Sequence, residues 1–224
     1  MGQMVQLTTA DGHQLDAYQA DPPATPKGGL IIIQEIFGIT GHVKRLTDSF
    51  AEAGYAVCAP AMFDRVEKNV ELTYGTDDFA KGRELRGKLN DDWILADVEA
   101  VAKHLSQFGK VGLAGCCFGG YVAWISGTGL DSLACAASLY GGGVAAKTDR
   151  QPKCAMQMHF GDKDGGISLA DVHIVKEAHP DLPVYVYDDA AHGFCTDDRE
   201  GAFNPRACAR ATGRILDLLA QHVG

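Results

Sequence analysis

One stretch constrains this chain more than any other: Gly115-Cys116-Cys117-Phe118-Gly119. An apolar run, Val111 to Ala114, leads into it, and a helix-forming segment, Tyr121 to Ile125, follows. Strand, tight turn and helix in that order put Cys117 at a sharp bend. Glycine two residues before and two after the cysteine lets strand and helix approach closely around a strained backbone. The spacing is that of a nucleophile elbow with cysteine in the usual serine position. The plainer alternative is a Gly-rich strand-to-helix turn with a buried thiol.

The rest of the chain reads as strands alternating with helices. Val5 to Thr8 and Leu15 to Gln19 flank the turn signal Asp11-Gly12 as a hairpin. The continuous apolar run Gly29 to Ile33 predicts a strand buried on both faces. Further strands are expected at Tyr55 to Ala59, Lys110 to Ala114, Leu133 to Tyr140, Cys154 to Phe160 and Val184 to Tyr187. Helical spacing marks His42 to Ala53, Asp77 to Leu89, Asp92 to Phe108, Ser168 to Ala178 and Pro205 to His222, while residues 60–75 read as loop. The expected fold is α/β: a mostly parallel sheet with helices on both faces. With 224 residues and no repeat or linker, a single domain over 1–224 is expected.

The net charge of −9 and the lack of a basic face argue against nucleic acid. No apolar run nears the ~20 residues that span a bilayer, so no membrane association is expected. Met1 to Leu7 lacks the charge and apolar core of a secretory leader. Seven cysteines, with no CxxC, fit neither a disulfide framework nor a zinc site. A reducing cytoplasm is the expected compartment. The expected state is a monomer or small homo-oligomer.

Sites in open α/β sheets form at the carboxyl ends of strands. After successive strands come Glu35-Ile36, then Cys117, then Asp162 and Asp164, then His192. Cys117, Asp164 and His192 give the order nucleophile, acid, base, as in α/β-hydrolases. Asp162 competes with Asp164 for the acid, and either could simply hold its turn. His192 would take the thiol proton and Asp164 would orient the imidazole. The N–H groups of Phe118 and Ile36 would form an oxyanion hole. His159 reads as structural, Cys116 as facing away from the site, and Cys195 as a spectator near His192.

Taken together, Gln34-Glu35-Ile36-Phe37-Gly38, Gly115-Cys116-Cys117-Phe118-Gly119-Gly120, Gly161-Asp162-Lys163-Asp164 and His192-Gly193-Phe194 resemble the dienelactone hydrolase (carboxymethylenebutenolidase) family over nearly the whole chain. The resemblance implies a Cys-His-Asp triad in Cys117, His192 and Asp164. It also implies that Glu35 holds the resting thiol, and that a small-molecule ester or lactone is opened through a thioester without a cofactor. It nominates Arg83 and Tyr140 as substrate-binding residues. This chain departs from the family where Gly87 and Asn90 replace aromatic residues. Thr196 stands where an arginine follows the active histidine by four residues, and Arg199 is a candidate to replace it. A broader esterase or thioesterase on the same triad is the alternative. A thiol redox protein built on Cys116-Cys117 is a more distant one.

Overall fold

The computed structural model describes residues 2–224. Its centre is an eight-stranded sheet of order β1-β2-β4-β3-β5-β6-β7-β8. Two strands, β1 (Gln3–Thr8) and β2 (Gln14–Ala20), form the antiparallel hairpin that Asp11-Gly12 signals, and β2 lies antiparallel to β4 (Ala56–Pro60). The other strands, β3 (Gly29–Ile33), β5 (Val111–Cys116), β6 (Cys135–Leu139), β7 (Ala155–Gly161) and β8 (Val184–Tyr187), run parallel to one another and to β4. Every residue of β3, β4, β5 and β6 is buried, as apolar runs without alternation require. Each of Ile31, Ile32 and Ile33 contributes roughly 1.5–3 kcal/mol by leaving water.

The helices are α1 (Gly41–Glu52), α2 (Thr76–Lys88), α3 (Asp91–Leu105), α4 (Phe118–Gly129), α5 (Leu169–Ala178) and α6 (Pro205–His222). They cover both faces of the sheet. A Cβ on Gly112 would meet Leu219 of α6, whereas one on Gly115 would meet Gly119 of α4. Those two β5 positions have opposite parity, so α6 and α4 lie on opposite faces. α1 joins α6 around a small apolar space, and α3 packs against α4. Side chains start several of these helices. Thr40, Asn90 and Asn204 accept from backbone N–H groups of α1, α3 and α6, and Ser168 forms a capping box with Asp171 on α5.

Three elements differ from expectation. The helix after the elbow runs on to Gly129 rather than stopping at Ile125; its glycines mark close contacts, not a helix end. The α3 helix ends at Leu105, and Ser106–Phe108 tighten into a 3-10 turn before Gly109. Residues 60–75 are irregular, but Glu71 bridges to Gly38 and so ties this segment to the loop after β3. Among the described residues no helix is long and apolar enough to cross a membrane.

Candidate active site

The carboxyl ends of β3, β5, β7 and β8 open on one cleft of about 680 Å³. Cys117 lies at its floor with φ 57° and ψ −112°, a conformation that costs a non-glycine residue about 1–3 kcal/mol. The surroundings hold it there. Its N–H donates to Leu139 O at 3.0 Å, and its carbonyl accepts from Gly120 and Tyr121 at 3.0 and 3.2 Å. A Cβ on Gly115 would sit 2.2 Å from Gly119 O, and one on Gly119 would sit 2.4 Å from Ile33 O. Strand and helix therefore meet backbone to backbone around the thiol.

His192 follows β8 and borders the same cleft. Its Nδ1 lies 2.8 Å from Asp164 Oδ2, and the Asp164 side chain is fully buried. The other oxygen, Oδ1, accepts the N–H groups of Gly166 and Ile167 at 2.8 and 2.9 Å. Burial alone would raise the Asp164 carboxyl; the His192 imidazole and the two N–H donors outweigh it and hold it below the usual carboxylate range. Burial likewise disfavours the His192 cation, but Asp164 and the Cys117 thiol together raise it to about 10. Asp162 does not take this place, since its Oδ1 accepts the Ala190 N–H at 3.3 Å.

Glu35 is buried beneath the cleft, with Oε1 lacking any hydrogen-bond partner. Burial pushes its carboxyl up. The charges of His42, His192 and Arg199 pull it down, as does the adjacent Thr196 hydroxyl, although Thr196 Oγ1 completes no hydrogen bond of its own. The loop carrying Glu35 is anchored by its neighbour: Gln34 Oε1 accepts the Met62 N–H at 3.0 Å, and Gln34 Nε2 donates to Glu35 O at 3.1 Å.

Ile36 lines the cleft, and neither its N–H nor that of Phe118 has an acceptor among the described residues. For Phe118 this follows from its place as first residue of α4. Helix α2 lies against the Ile36 carbonyl at Gly82, where a Cβ would come within 2.2 Å. That approach brings Phe79 and Arg83, one helical turn apart, to the cleft wall. Arg199 also lines the cleft and donates from Nη1 to His192 O at 3.3 Å. Neither Arg83 nor Arg199 has a carboxylate partner among the described residues.

Tyr140, for which the family resemblance implies substrate binding, is fully buried and is not among the residues lining the cleft. It has φ 38° just past β6, and its ring lies edge-on to His192 at 5.1 Å and to Phe194 at 5.0 Å. Cys116 points to the α1–α6 face, and His159 is buried against the Tyr187 hydroxyl at 2.8 Å. Arg86 lies over the rings of Phe118 and Tyr121, away from the cleft lining.

Phe79 and His42 carry no functional expectation from the sequence, and Thr196 stands out there only for the arginine it replaces. Phe79 forms an apolar wall, and its i, i+4 spacing to Arg83 was the available signal. Thr196 is buried beside Glu35. Buried His42 pairs through Nδ1 with Asp197 at 2.7 Å, and Asp197 also accepts from Arg45. No sequence signal joins residues 155 positions apart. Among the described residues no group of three His, Cys, Asp or Glu side chains is arranged to hold a metal ion.

This geometry has relatives. The sequence profile of the dienelactone hydrolase family matches residues 15–223. A protein of Synechocystis sp., provisionally named a carboxymethylenebutenolidase, is 30% identical over 92% of this chain and 91% of its own. The carboxymethylenebutenolidase of Pseudomonas putida is 28% identical over 96% and 95%. A crystal structure from Klebsiella pneumoniae, provisionally named a dienelactone hydrolase, superposes with a TM-score of 0.87 at 24% identity over 99% of both chains. The chain belongs to the dienelactone hydrolase family, enzymes of lactone and ester hydrolysis.

Proposed function

We propose that this chain hydrolyses carboxylic esters and lactones by a thioester mechanism in which Cys117 is the nucleophile, His192 the acid–base and Asp164 its orienting carboxylate. The observation that carries the reading is the His192–Asp164 contact at 2.8 Å beside a thiol held on a strained elbow. The Cys117 thiolate adds to the substrate carbonyl, and the carbonyl electrons move onto oxygen. The N–H groups of Ile36 and Phe118 receive that oxyanion; each such donor is worth about 2.7–4 kcal/mol. Collapse breaks the C–O bond, and the His192 imidazolium protonates the departing oxygen. In a lactone that oxygen stays tethered to the acyl chain. Neutral His192 then takes a proton from water, which attacks the thioester and releases the carboxylic acid and the thiolate.

Glu35 governs the resting charge of the thiol in this reading. A buried carboxyl with a raised pKa can donate a hydrogen bond beneath the site or withdraw as a carboxylate. The two arginines without carboxylate partners favour a substrate bearing its own carboxylate, as a dienelactone does. The apolar wall of Ile36 and Phe79 favours instead a broader ester or thioester substrate. The ratio of kcat/KM for an anionic lactone to that for a neutral aryl ester separates the two. All seven cysteines are unpaired, which supports a reducing compartment such as the cytoplasm.

The test is Cys117→Ala, assayed on a dienelactone and an activated aryl ester, with single-turnover mass spectrometry of the unaltered protein. Turnover should vanish in the variant, and an acyl adduct should map to Cys117. A fully active variant overturns the mechanism.

A further inference from the structure

Three of the seven thiols gather away from the cleft. Cys116, Cys195 and Cys208 line one small apolar cavity of about 30 Å³ between the sheet, α1 and α6, and the hydrolytic reading uses none of them. Cys195 lies three residues past His192, and Cys208 is in the first turns of α6. The backbone brings the two together: Asn204 N donates to Phe194 O at 3.0 Å, and Cys208 N donates to Asn204 O at 2.9 Å. Cys208 Sγ is 3.9 Å from Cys195 O.

We propose that Cys195 and Cys208 form a peroxide-sensitive thiol pair that closes to a reversible intramolecular disulfide. The cavity matters here. In a close-packed interior two thiols in contact have no room to rotate into bonding geometry, whereas a void beside both sulfurs supplies it. Access divides the roles, because Cys208 is half-buried and Cys195 buried. The charges divide the same way. The thiol contact with Cys195 lowers Cys208 below the ordinary cysteine value, against burial and with help from the Thr212 hydroxyl. The same contact, with burial, raises Cys195. Cys208 is thus the attacking thiolate and Cys195 the resolving thiol. Cys116 is excluded as a partner because it sits on the rigid β5 strand, fully enclosed, with its thiol raised by burial.

The chemistry balances with a peroxide as oxidant. The Cys208 thiolate attacks one peroxide oxygen and the O–O bond breaks. The leaving oxygen takes a proton as alcohol or water, and Cys208 becomes a sulfenic acid. Cys195 sulfur then attacks the Cys208 sulfur, the S–S bond forms, and hydroxide leaves with the Cys195 proton as water. Two electrons pass from the sulfur pair to the peroxide. The closed loop contains Asp197 and Arg199, so the bond fastens the segment between His192 and α6.

The test uses the full chain with Cys117→Ser, so that oxidation of the cleft thiol does not intrude and the outcome does not depend on the hydrolytic mechanism. Hydrogen peroxide should lower the intact mass by two hydrogen atoms and remove two titratable thiols under denaturing conditions. The peptide map should link Cys195 to Cys208, and dithiothreitol should reverse the change. Adding Cys208→Ser should abolish the link. Cys117→Ala in place of Cys117→Ser, or unaltered protein with Cys117 alkylated, gives the same readout if the serine variant folds poorly. Retention of all thiols, oxygen addition without a cross-link, a cross-link through Cys116, or an intermolecular disulfide overturns the proposal.

Discussion

His192 Nδ1 lies 2.8 Å from one oxygen of Asp164, while the other oxygen of that carboxylate takes two backbone N–H groups, so the acid is held at both ends before it orients the base. Asp164→Asn keeps the shape but offers His192 the wrong polarity. It should lower kcat by roughly 10³–10⁴ with KM little changed, as in other nucleophilic triads. Asp162→Asn, which alters a contact to the Ala190 N–H and an ion pair with Lys163 at 3.7 Å, should leave kcat near that of the unaltered enzyme. Steady-state kinetics on an activated ester checks both. A large loss at Asp162 and a small one at Asp164 would contradict the assignment.

The elbow was legible because its cause is local. Small residues at 115 and 119 and an apolar lead-in are steric requirements of one bend. The parallel strands were legible for a similar reason, since burial on both faces removes alternation from β3, β5 and β6. The choice between Asp162 and Asp164 was not, because both occupy one turn and only the place of a loop 28 residues away distinguishes them. The placement of Tyr140 was not legible, because a strand-end residue can face either way; here it has φ 38° and is fully buried. The cleft wall on α2 was hidden for another reason. That helix buries only Gly82 and Leu85, so its sequence carries little amphipathic signal for which face meets the site.

The alkaline side of the pH–rate profile should report His192. Burial works against its cation, but Asp164 and then Cys117 raise the imidazolium to about 10, so the acid that protonates the leaving oxygen persists through neutral pH. Initial-rate kcat/KM should fall as pH rises through about 10. Removing the Asp164 charge should move that limb to lower pH. An Asp164→Asn limb that stays in place would separate the imidazolium from the rate.

Arg83 and Arg199 flank the cleft from α2 and from the segment after His192. A charge-assisted hydrogen bond to a substrate carboxylate is worth about 1.5–3 kcal/mol, so Arg83→Ala should raise KM for an anionic lactone roughly 10–100-fold. Its kinetics on a neutral aryl ester should be unchanged. Arg199→Ala should do the same and also affect the neutral ester, because Arg199 Nη1 holds the His192 carbonyl. Equal losses on both substrates in Arg83→Ala would assign that residue to the fold rather than to recognition.

Glu35 gives a stability prediction whose sign is opposite to that of Asp164. Burial raises the Glu35 carboxyl in the folded state, so the fold favours the protonated form. Its contribution is fully present below the unfolded glutamate pKa and is lost as pH rises through the folded value. The lowered Asp164 carboxyl contributes above the unfolded aspartate value and loses that contribution as pH falls through its own folded value. Glu35→Gln removes the cost of ionising a buried group whose Oε1 has no partner. The variant should therefore melt higher than the unaltered protein at pH 8, by on the order of 2–4 °C for each kcal/mol recovered, and the gap should shrink toward pH 4. Thermal melts of both proteins across that range decide it. A gap that widens toward acid would mean that Glu35 is ionised and paired in the fold.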